Sequence, residues 1–126
     1  MKRPENFEEC CEIAGVNVAT DEILSLPDTP ATLSAKKHRR LEIIGLALNG
    51  DWTPDMSDTS QRKYFPWHEV IPDTEVPSGF RLACGGCGYD DANACLGSRH
   101  YYKDANTAIY AGKQFIKEYE SVYSAI

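Results

Sequence analysis

The apolar positions near the N-terminus predict a short amphipathic helix. Asn6 suits the N-cap position, and Glu9 follows it at the spacing of a capping box. The apolar residues recur every three or four positions and share one helix face: Phe7, Cys10, Cys11 and Ala14. Gly15 then suits the helix end. Because a helix of about two turns is marginal in isolation, we expect residues 1–30 to form a short helical arm that docks on the rest of the chain.

A second, longer helix is predicted between Thr29 and Gly50. Thr29 suits the N-cap, and Pro30 suits the first helical position, where a missing N–H costs no hydrogen bond. An apolar stripe follows at helical spacing: Leu33, Leu41, Ile44 and Leu48. Asn49 and Gly50 provide a natural C-terminal stop.

Three segments with alternating or densely aromatic residues predict β-strands: 63–71, 79–84 and 98–102. Pro66 cannot donate a ladder hydrogen bond, so we expect the first strand at a sheet edge or with a bulge. Gly85 and Gly86 predict a tight turn after the second strand.

The C-terminal segment predicts a helix that starts after Asp104. Its apolar residues share one face: Ala108, Ala111, Phe115, Tyr119 and Val122. We expect the Phe115 side chain to be buried between this helix and the sheet. Gly112 lies beside the same face, where a residue without a Cβ allows a helix to approach a strand closely.

The order of these elements predicts an α+β fold in a single domain over residues 1–126. In this fold a small antiparallel three-stranded sheet packs against the long helix of the N-terminal half and against the C-terminal helix, with the short N-terminal helix as an addition. Residues 31–126 would then form an α-β-β-β-α core. A chain of 126 residues is long enough for one domain with its own hydrophobic core.

Composition and charge narrow the classes of function. Hydrophobic residues make up 42% of the chain and charged residues 25%, which is typical of a globular domain. No apolar run is long enough to span a membrane, and the N-terminal segment lacks the apolar core of a secretory signal, so we expect a cytoplasmic protein without membrane association. The net charge of −6 argues against a protein that coats nucleic acid non-specifically.

Two groups of residues are candidate binding surfaces. The basic cluster within the predicted long helix consists of Lys36, Lys37, Arg39 and Arg40. The aromatic surface, on or beside the predicted sheet, consists of Trp52, Tyr64, Trp67, Arg99 and Tyr101. Neighbouring residues of a strand face opposite sides, so part of the aromatic set is expected on an open face. Such a face favours a non-enzymatic role in binding a partner protein. An alternative is a nucleic-acid-binding module that combines the aromatic face with the basic cluster, and plain structural packing is a third interpretation.

The cysteines supply a further candidate site. Cys84, Cys87, Cys95 and His100 could supply four zinc ligands, and the first two have the spacing of thiol-exchange motifs. Structural zinc sites usually have two well-spaced ligand pairs, however, and redox motifs open a helix. We therefore expect reduced thiols with no bound metal and no other cofactor. No set of residues forms a catalytic signature, so we expect no enzymatic activity.

Five short blocks occur in order along the chain: Leu-Asn-Gly-Asp-Trp-Thr-Pro-Asp at 48–55, Lys-Tyr-Phe-Pro-Trp at 63–67, Gly-Phe at 79–80, Gly-Ser-Arg at 97–99 and Tyr-Ala-Gly-Lys-Gln-Phe at 110–115. This set resembles a family of small uncharacterised proteins carried by phages, prophages and mobile elements of gut Bacteroidales, over about residues 41–119. Phe65 replaces a tyrosine of the family pattern, and the three later cysteines lie outside it. The resemblance implies a phage or mobile-element accessory protein that acts in the bacterial host cytoplasm or is packaged in the virion. It implies no particular activity.

Overall fold

The computed structural model describes residues 2–92 and 100–124. Along these residues the chain forms α1 (Phe7–Ala14), α2 (Pro30–Asn49), β1 (Lys63–Pro72), β2 (Phe80–Asp90), α3 (Ala105–Gln114) and α4 (Ile116–Tyr123). The α+β class is confirmed. Every helix in the described part of the chain is too short or too polar to cross a lipid bilayer.

The predicted helix starts are confirmed by their capping bonds. The Asn6 side chain accepts a hydrogen bond from the backbone N–H of Glu9 at 2.9 Å. Thr29 forms a reciprocal capping box at the start of α2, and Asp104 accepts a bond from the N–H of Thr107 at 2.7 Å. Each cap satisfies an N–H group that the helix itself leaves without an acceptor.

The C-terminal segment forms two helices, where the sequence predicts one. The break lies at Phe115, whose ψ of 31° departs from the helical value. α3 packs against both strands, whereas α4 contacts α2 as well as β2. The break thus redirects the chain from the sheet towards α2. Phe115 is buried at this junction, which confirms the prediction for its side chain.

The sheet has two antiparallel strands in the described residues, so the predicted three-stranded sheet is wrong. Pairing runs from Lys63 opposite Asp90 to Pro72 opposite Phe80. The segment expected as a third strand contributes a single bridge, in which Tyr102 and Tyr64 exchange backbone hydrogen bonds of 2.7 and 3.0 Å.

The reason for this short pairing lies in β1 itself. The antiparallel register of the bridge would place His100 opposite Pro66. Pro66 has no N–H, so the ladder is not continued from Tyr102 to His100. Residues 98 and 99, which the prediction included in this strand, lie outside the described residues.

Gly85 and Gly86 form a β-bulge within β2, and the predicted tight turn is wrong. Trp67 lies opposite Gly86 and His68 lies opposite Cys84, so Gly85 is the extra residue of β2. The hairpin connection is residues 73–79 instead.

The glycines of β2 lie beneath aromatic rings of β1. A Cβ on Gly88 would stand 2.7 Å from Cζ of Phe65, and a Cβ on Gly85 would stand 3.7 Å from Cδ1 of Trp67. Only a residue without a side chain permits the Phe65 ring to lie so close to the strand. The glycine-dense sequence is therefore explained by the packing of these two rings against the backbone of β2.

The core lies between the inner face of the sheet and the helices, and it includes residues of all four described helices. Its buried members are Cys10, Cys11, Leu41, Ile43, Ile44, Leu48, Leu82, Tyr102, Ala108, Ala111, Phe115 and Tyr119. Gly112 allows α3 to approach the sheet, because a Cβ there would stand 2.6 Å from Cβ of Pro66 and 2.8 Å from Sγ of Cys84. The predicted close approach at Gly112 is confirmed, with these two residues as its neighbours.

Lys63 fastens the preceding loop to the start of the hairpin. Its side chain is fully buried, and Nζ donates to the backbone oxygens of Asp58, Gln61 and Asp91 at 3.1, 3.0 and 3.4 Å. Three acceptors match the three N–H donors of an ammonium group. This lysine is thus a structural residue.

Candidate functional site

All three histidines of the chain line one cleft, with a volume of about 410 Å³. Its lining residues are His38 and Leu41 from α2, Phe65, Pro66 and His68 from β1, the adjacent His100 and Tyr101, and Tyr119, Val122 and Tyr123 from α4. None of these lining residues carries a fixed charge. The cleft therefore presents apolar surface with a few imidazole and phenol groups.

The buried amide of Asn49 positions one wall of the cleft. Its Nδ2 donates to the backbone oxygen of Tyr101 at 2.9 Å, and its Oδ1 accepts from the N–H of Lys103 at 3.0 Å. The end of α2 is thus tied to the segment that carries His100. The sequence suggested only a helix stop at Asn49, because neither bond is local.

His38 and His100 face each other through their ring nitrogens. Nδ1 of His38 lies 3.1 Å from Nε2 of His100. The rings are inclined by only 15°, and their centroids are 5.4 Å apart, which exceeds the nitrogen separation by about two ring radii. The line through the two nitrogens therefore also passes close to both ring centroids, so each nitrogen points towards the other ring. This is the geometry of a direct N–H···N hydrogen bond between the two rings.

His68 is held by a different partner in the same cleft. Its Nε2 donates to the backbone oxygen of Gly112 at 3.0 Å, and its ring lies 4.8 Å from that of Tyr119. The Tyr119 hydroxyl is hydrogen-bonded to the hydroxyl of Tyr102 at 2.7 Å. Burial raises the pKa of both tyrosines, so both hydroxyls remain neutral over the ordinary pH range.

The cysteine and histidine set predicted as an alternative zinc site is only partly described. Sγ of Cys84 lies beneath Gly112, Cys87 lies opposite Pro66 on β1, and His100 is bonded to His38. Cys95 lies outside the described residues. Among the residues that are described, no group of three or more histidine, cysteine or acidic side chains is placed to hold a metal ion.

The aromatic surface predicted from the sequence is divided among different places. The Trp67 side chain is 62% exposed on the outer face of the sheet, and Tyr64 is half-buried beside Tyr89. Trp52 lines a separate small cavity of about 100 Å³ with Tyr101. Arg99 belongs to the residues that are not described.

Tyr101 does not lie on an open face. It is only 3% exposed, and its hydroxyl donates to Asp90 at 2.8 Å. The expectation that it extends from the sheet into solvent is wrong, because the segment before α3 folds between α2 and β1. Tyr101 nevertheless contributes to the lining of both cavities.

The basic cluster is bonded to acidic and backbone partners within the protein. Lys36 pairs with Asp28, Arg39 with Asp21 and Glu42, and Arg40 with Glu118, while Nζ of Lys37 donates to the backbone oxygen of Ser124 at 3.3 Å. Hydrogen bonds from Arg39 and the backbone lower the pKa of Asp21 to about 2. The cluster is therefore not an uncompensated cationic patch.

Sequence reasoning missed most of the cleft. His38, His68, Tyr119, Val122 and Tyr123 were not grouped as site residues, since they come from three distant elements. No spacing rule connects them. The one available signal was that several aromatic residues and a histidine adjoin Pro66 in β1.

No protein-family model matches the chain, and no similar protein is found among curated proteins or among solved structures. The resemblance to phage and mobile-element proteins therefore stays a prediction.

Proposed function

We propose that the protein is a non-enzymatic protein-binding module whose histidine-lined cleft takes an apolar or aromatic side chain of a partner protein. The observation that carries this proposal is the cleft of about 410 Å³ with a largely aromatic lining and no fixed charge. A volume of this size matches that of specific ligand pockets in proteins.

The chemistry of the lining supports a protein partner. Tyrosine and histidine combine apolar ring surface with hydrogen-bonding groups, and aromatic residues such as tyrosine and phenylalanine are enriched at the centres of protein interfaces. Tyr123 is 65% exposed although it lines the cleft, so part of its ring is available for contact. A phosphate or carboxylate ligand would instead favour fixed cationic donors, which the lining residues lack.

The nucleic-acid alternative has weaker support. Arg39 and Arg40 are engaged by carboxylates at 2.8 and 2.6 Å, and Lys36 is paired with Asp28. Binding a polyanion would require these pairs to be broken before counterion release could contribute. The net charge of −6 opposes the same step.

The biological setting that we propose rests on the sequence resemblance. It is a phage, prophage or mobile element of gut Bacteroidales, with the protein acting in the host cytoplasm or packaged in the virion. The partner would then be a phage or host protein.

The test is selection of random dodecapeptides on the immobilised full chain, followed by affinity measurement on variants. Tyr123→Ala should weaken binding of the selected peptides by at least tenfold, as expected for truncation of a tyrosine whose exposed ring the peptide covers. Tyr89→Ala is the matched control, because it removes a half-exposed tyrosine outside the cleft; it should change the affinity by less than twofold.

Two outcomes would contradict the proposal. The first is enrichment of no peptide, or of peptides that bind Tyr123→Ala as well as the unchanged protein. The second is micromolar or tighter binding of mixed-sequence oligonucleotides at 200 mM salt, measured by fluorescence anisotropy, which would favour the nucleic-acid alternative.

A further inference from the structure

The His38–His100 bond links α2 to the segment that leads into the Tyr102 bridge. His38 lies in the middle of α2, and His100 precedes Tyr101, whose backbone oxygen is bonded to Asn49 at the end of the same helix. The wall of the cleft formed by residues 100–102 is thus tied to α2 at two points. One of these two bonds, the bond between His38 and His100, joins two imidazole rings.

The bond between the rings depends on their protonation. An N–H···N bond needs a protonated nitrogen on one ring and a lone pair on the other. Two neutral rings satisfy this, and a single added proton strengthens the bond by making it charge-assisted. A second proton places an N–H on both facing nitrogens and a positive charge on both rings, so the bond is lost and the rings repel each other.

Several titratable or charged groups of the described residues lie around the pair. They are Lys37 and Glu42 of α2, His68 of β1, Tyr101 beside the pair, and Tyr119 and Tyr123 of α4. By residue type, histidine is the side chain whose charge changes between pH 5 and 8. His68 is the one further imidazole in this set, and it serves as the control.

We propose that the His38–His100 pair is a pH-sensitive latch on the cleft, closed while at most one ring carries an added proton and open when both do. Opening releases the His100 side chain from α2, while the Asn49 bonds to Tyr101 and Lys103 remain, and it changes the shape of the cleft. Its effect on partner binding rests on the proposed function. The latch itself is tested without a partner, so its failure and the failure of the proposed function are distinguishable.

The experiment compares backbone hydrogen exchange of the Tyr102 N–H, which donates to Tyr64, between pH 7 and 4.5 in the full chain. After correction for intrinsic exchange, protection in the unchanged protein should fall at least tenfold as the second ring is protonated. His38→Asn keeps a polar atom near the Nδ1 position and does not titrate, so protection should stay high at both pH values. His38→Phe cannot form the bond, so protection should be low at both.

His68→Gln is the matched control, because it removes an imidazole ring from the same cleft but keeps a donor for the Gly112 oxygen. It should retain the pH dependence of the unchanged protein. The proposal is overturned if Tyr102 protection is independent of pH in the unchanged protein, or if His38→Asn and His38→Phe show the same pH dependence as that protein. Loss of protection caused by global unfolding, seen as a far-UV circular dichroism change with the same midpoint in all variants, also overturns it.

Discussion

Replacement of Gly112 by alanine gives a direct test of how closely α3 approaches the sheet. The added Cβ would stand 2.6 Å from Cβ of Pro66 and 2.8 Å from Sγ of Cys84. Pro66 is a strand residue with a fixed φ angle, so it cannot move aside as the end of a flexible side chain would. α3 or β1 must therefore shift, and such a shift also strains the bond from His68 to the Gly112 oxygen.

The magnitude follows from two opposing effects. Alanine gains about 1 kcal/mol of helix propensity over glycine. Overpacking costs about 1–3 kcal/mol, and weakening the hydrogen bond from His68 costs about 1 kcal/mol more. The contacts at Gly112 are rigid and short, so we expect the upper part of the overpacking range to apply. Gly112→Ala should then lower the free energy of unfolding by about 2–3 kcal/mol.

Gly45 provides the matched control within α2. A Cβ at Gly45 would have the Asn49 side chain as its nearest neighbour at 3.9 Å, which is an ordinary van der Waals contact. Gly45→Ala should therefore raise the free energy of unfolding by up to about 1 kcal/mol. Urea denaturation followed by circular dichroism measures both variants. A Gly112→Ala protein as stable as the unchanged protein, or more stable, would refute the close approach.

Three further predictions concern stability. Phe115→Ala should lower the free energy of unfolding by about 3–5 kcal/mol through loss of a buried ring, whereas Ile13→Ala, at a position 49% exposed, should cost under about 1 kcal/mol in the same urea assay. Hydrogen bonds from Arg39 and from the backbone lower the pKa of Asp21 to about 2, so these bonds together contribute stability above about pH 4 that is lost as the pH falls towards 2. Arg39→Gln should flatten that part of the stability curve, and an unchanged slope would contradict the assignment. Lys63→Met leaves three backbone oxygens without their donor and should cost about 2 kcal/mol; a thermal midpoint equal to that of the unchanged protein would show that the loop does not depend on this bond.

The helix starts could be predicted because each is decided by residues close in sequence. Asn6, Thr29 and Asp104 each accept a hydrogen bond from a backbone N–H three residues ahead. The burial of Phe115 could also be predicted from nearby residues, because the apolar residues around it recur with the period of a helix. These features need no knowledge of where the rest of the chain lies.

The third strand and the tight turn were predicted wrongly because each depends on a partner distant in sequence. Pairing at His100 depends on whether the opposite residue can donate, and that residue is Pro66. The conformation at Gly85 and Gly86 depends on the rings of β1, which lie across the hairpin. A glycine pair permits both a turn and a bulge, so the local sequence does not choose between them.

The basic cluster shows the same limit for electrostatics. Its residues lie on one helix, and Glu42 pairs with Arg39 from the next turn of that helix, but the other carboxylates that pair with Arg39 and Arg40 are Asp21 before the helix and Glu118 in α4. Neither Asp21 nor Glu118 lies one helical turn from its arginine, so a helix-spacing rule finds the pair of Arg39 with Glu42 but not these two pairs. Positive charge along a sequence is thus a poor guide to a cationic surface when the fold supplies distant anions.

The packing of Trp67 bears on which surface is the better candidate for binding. Its exposed position on β1 suggests a contact residue. Its ring nevertheless lies within van der Waals distance of Gly85, the extra residue of the β-bulge, which has no side chain of its own. The ring therefore has a structural use, namely to cover the bare backbone of β2, and its exposure does not require a partner. The cleft has no such explanation: its apolar walls come from α2, β1 and α4, and a side chain from elsewhere in the described chain does not fill the space between them. Uncovered apolar surface of this kind costs free energy in water, which a partner's side chain would recover by filling it, and this difference makes the cleft the better candidate for a binding surface.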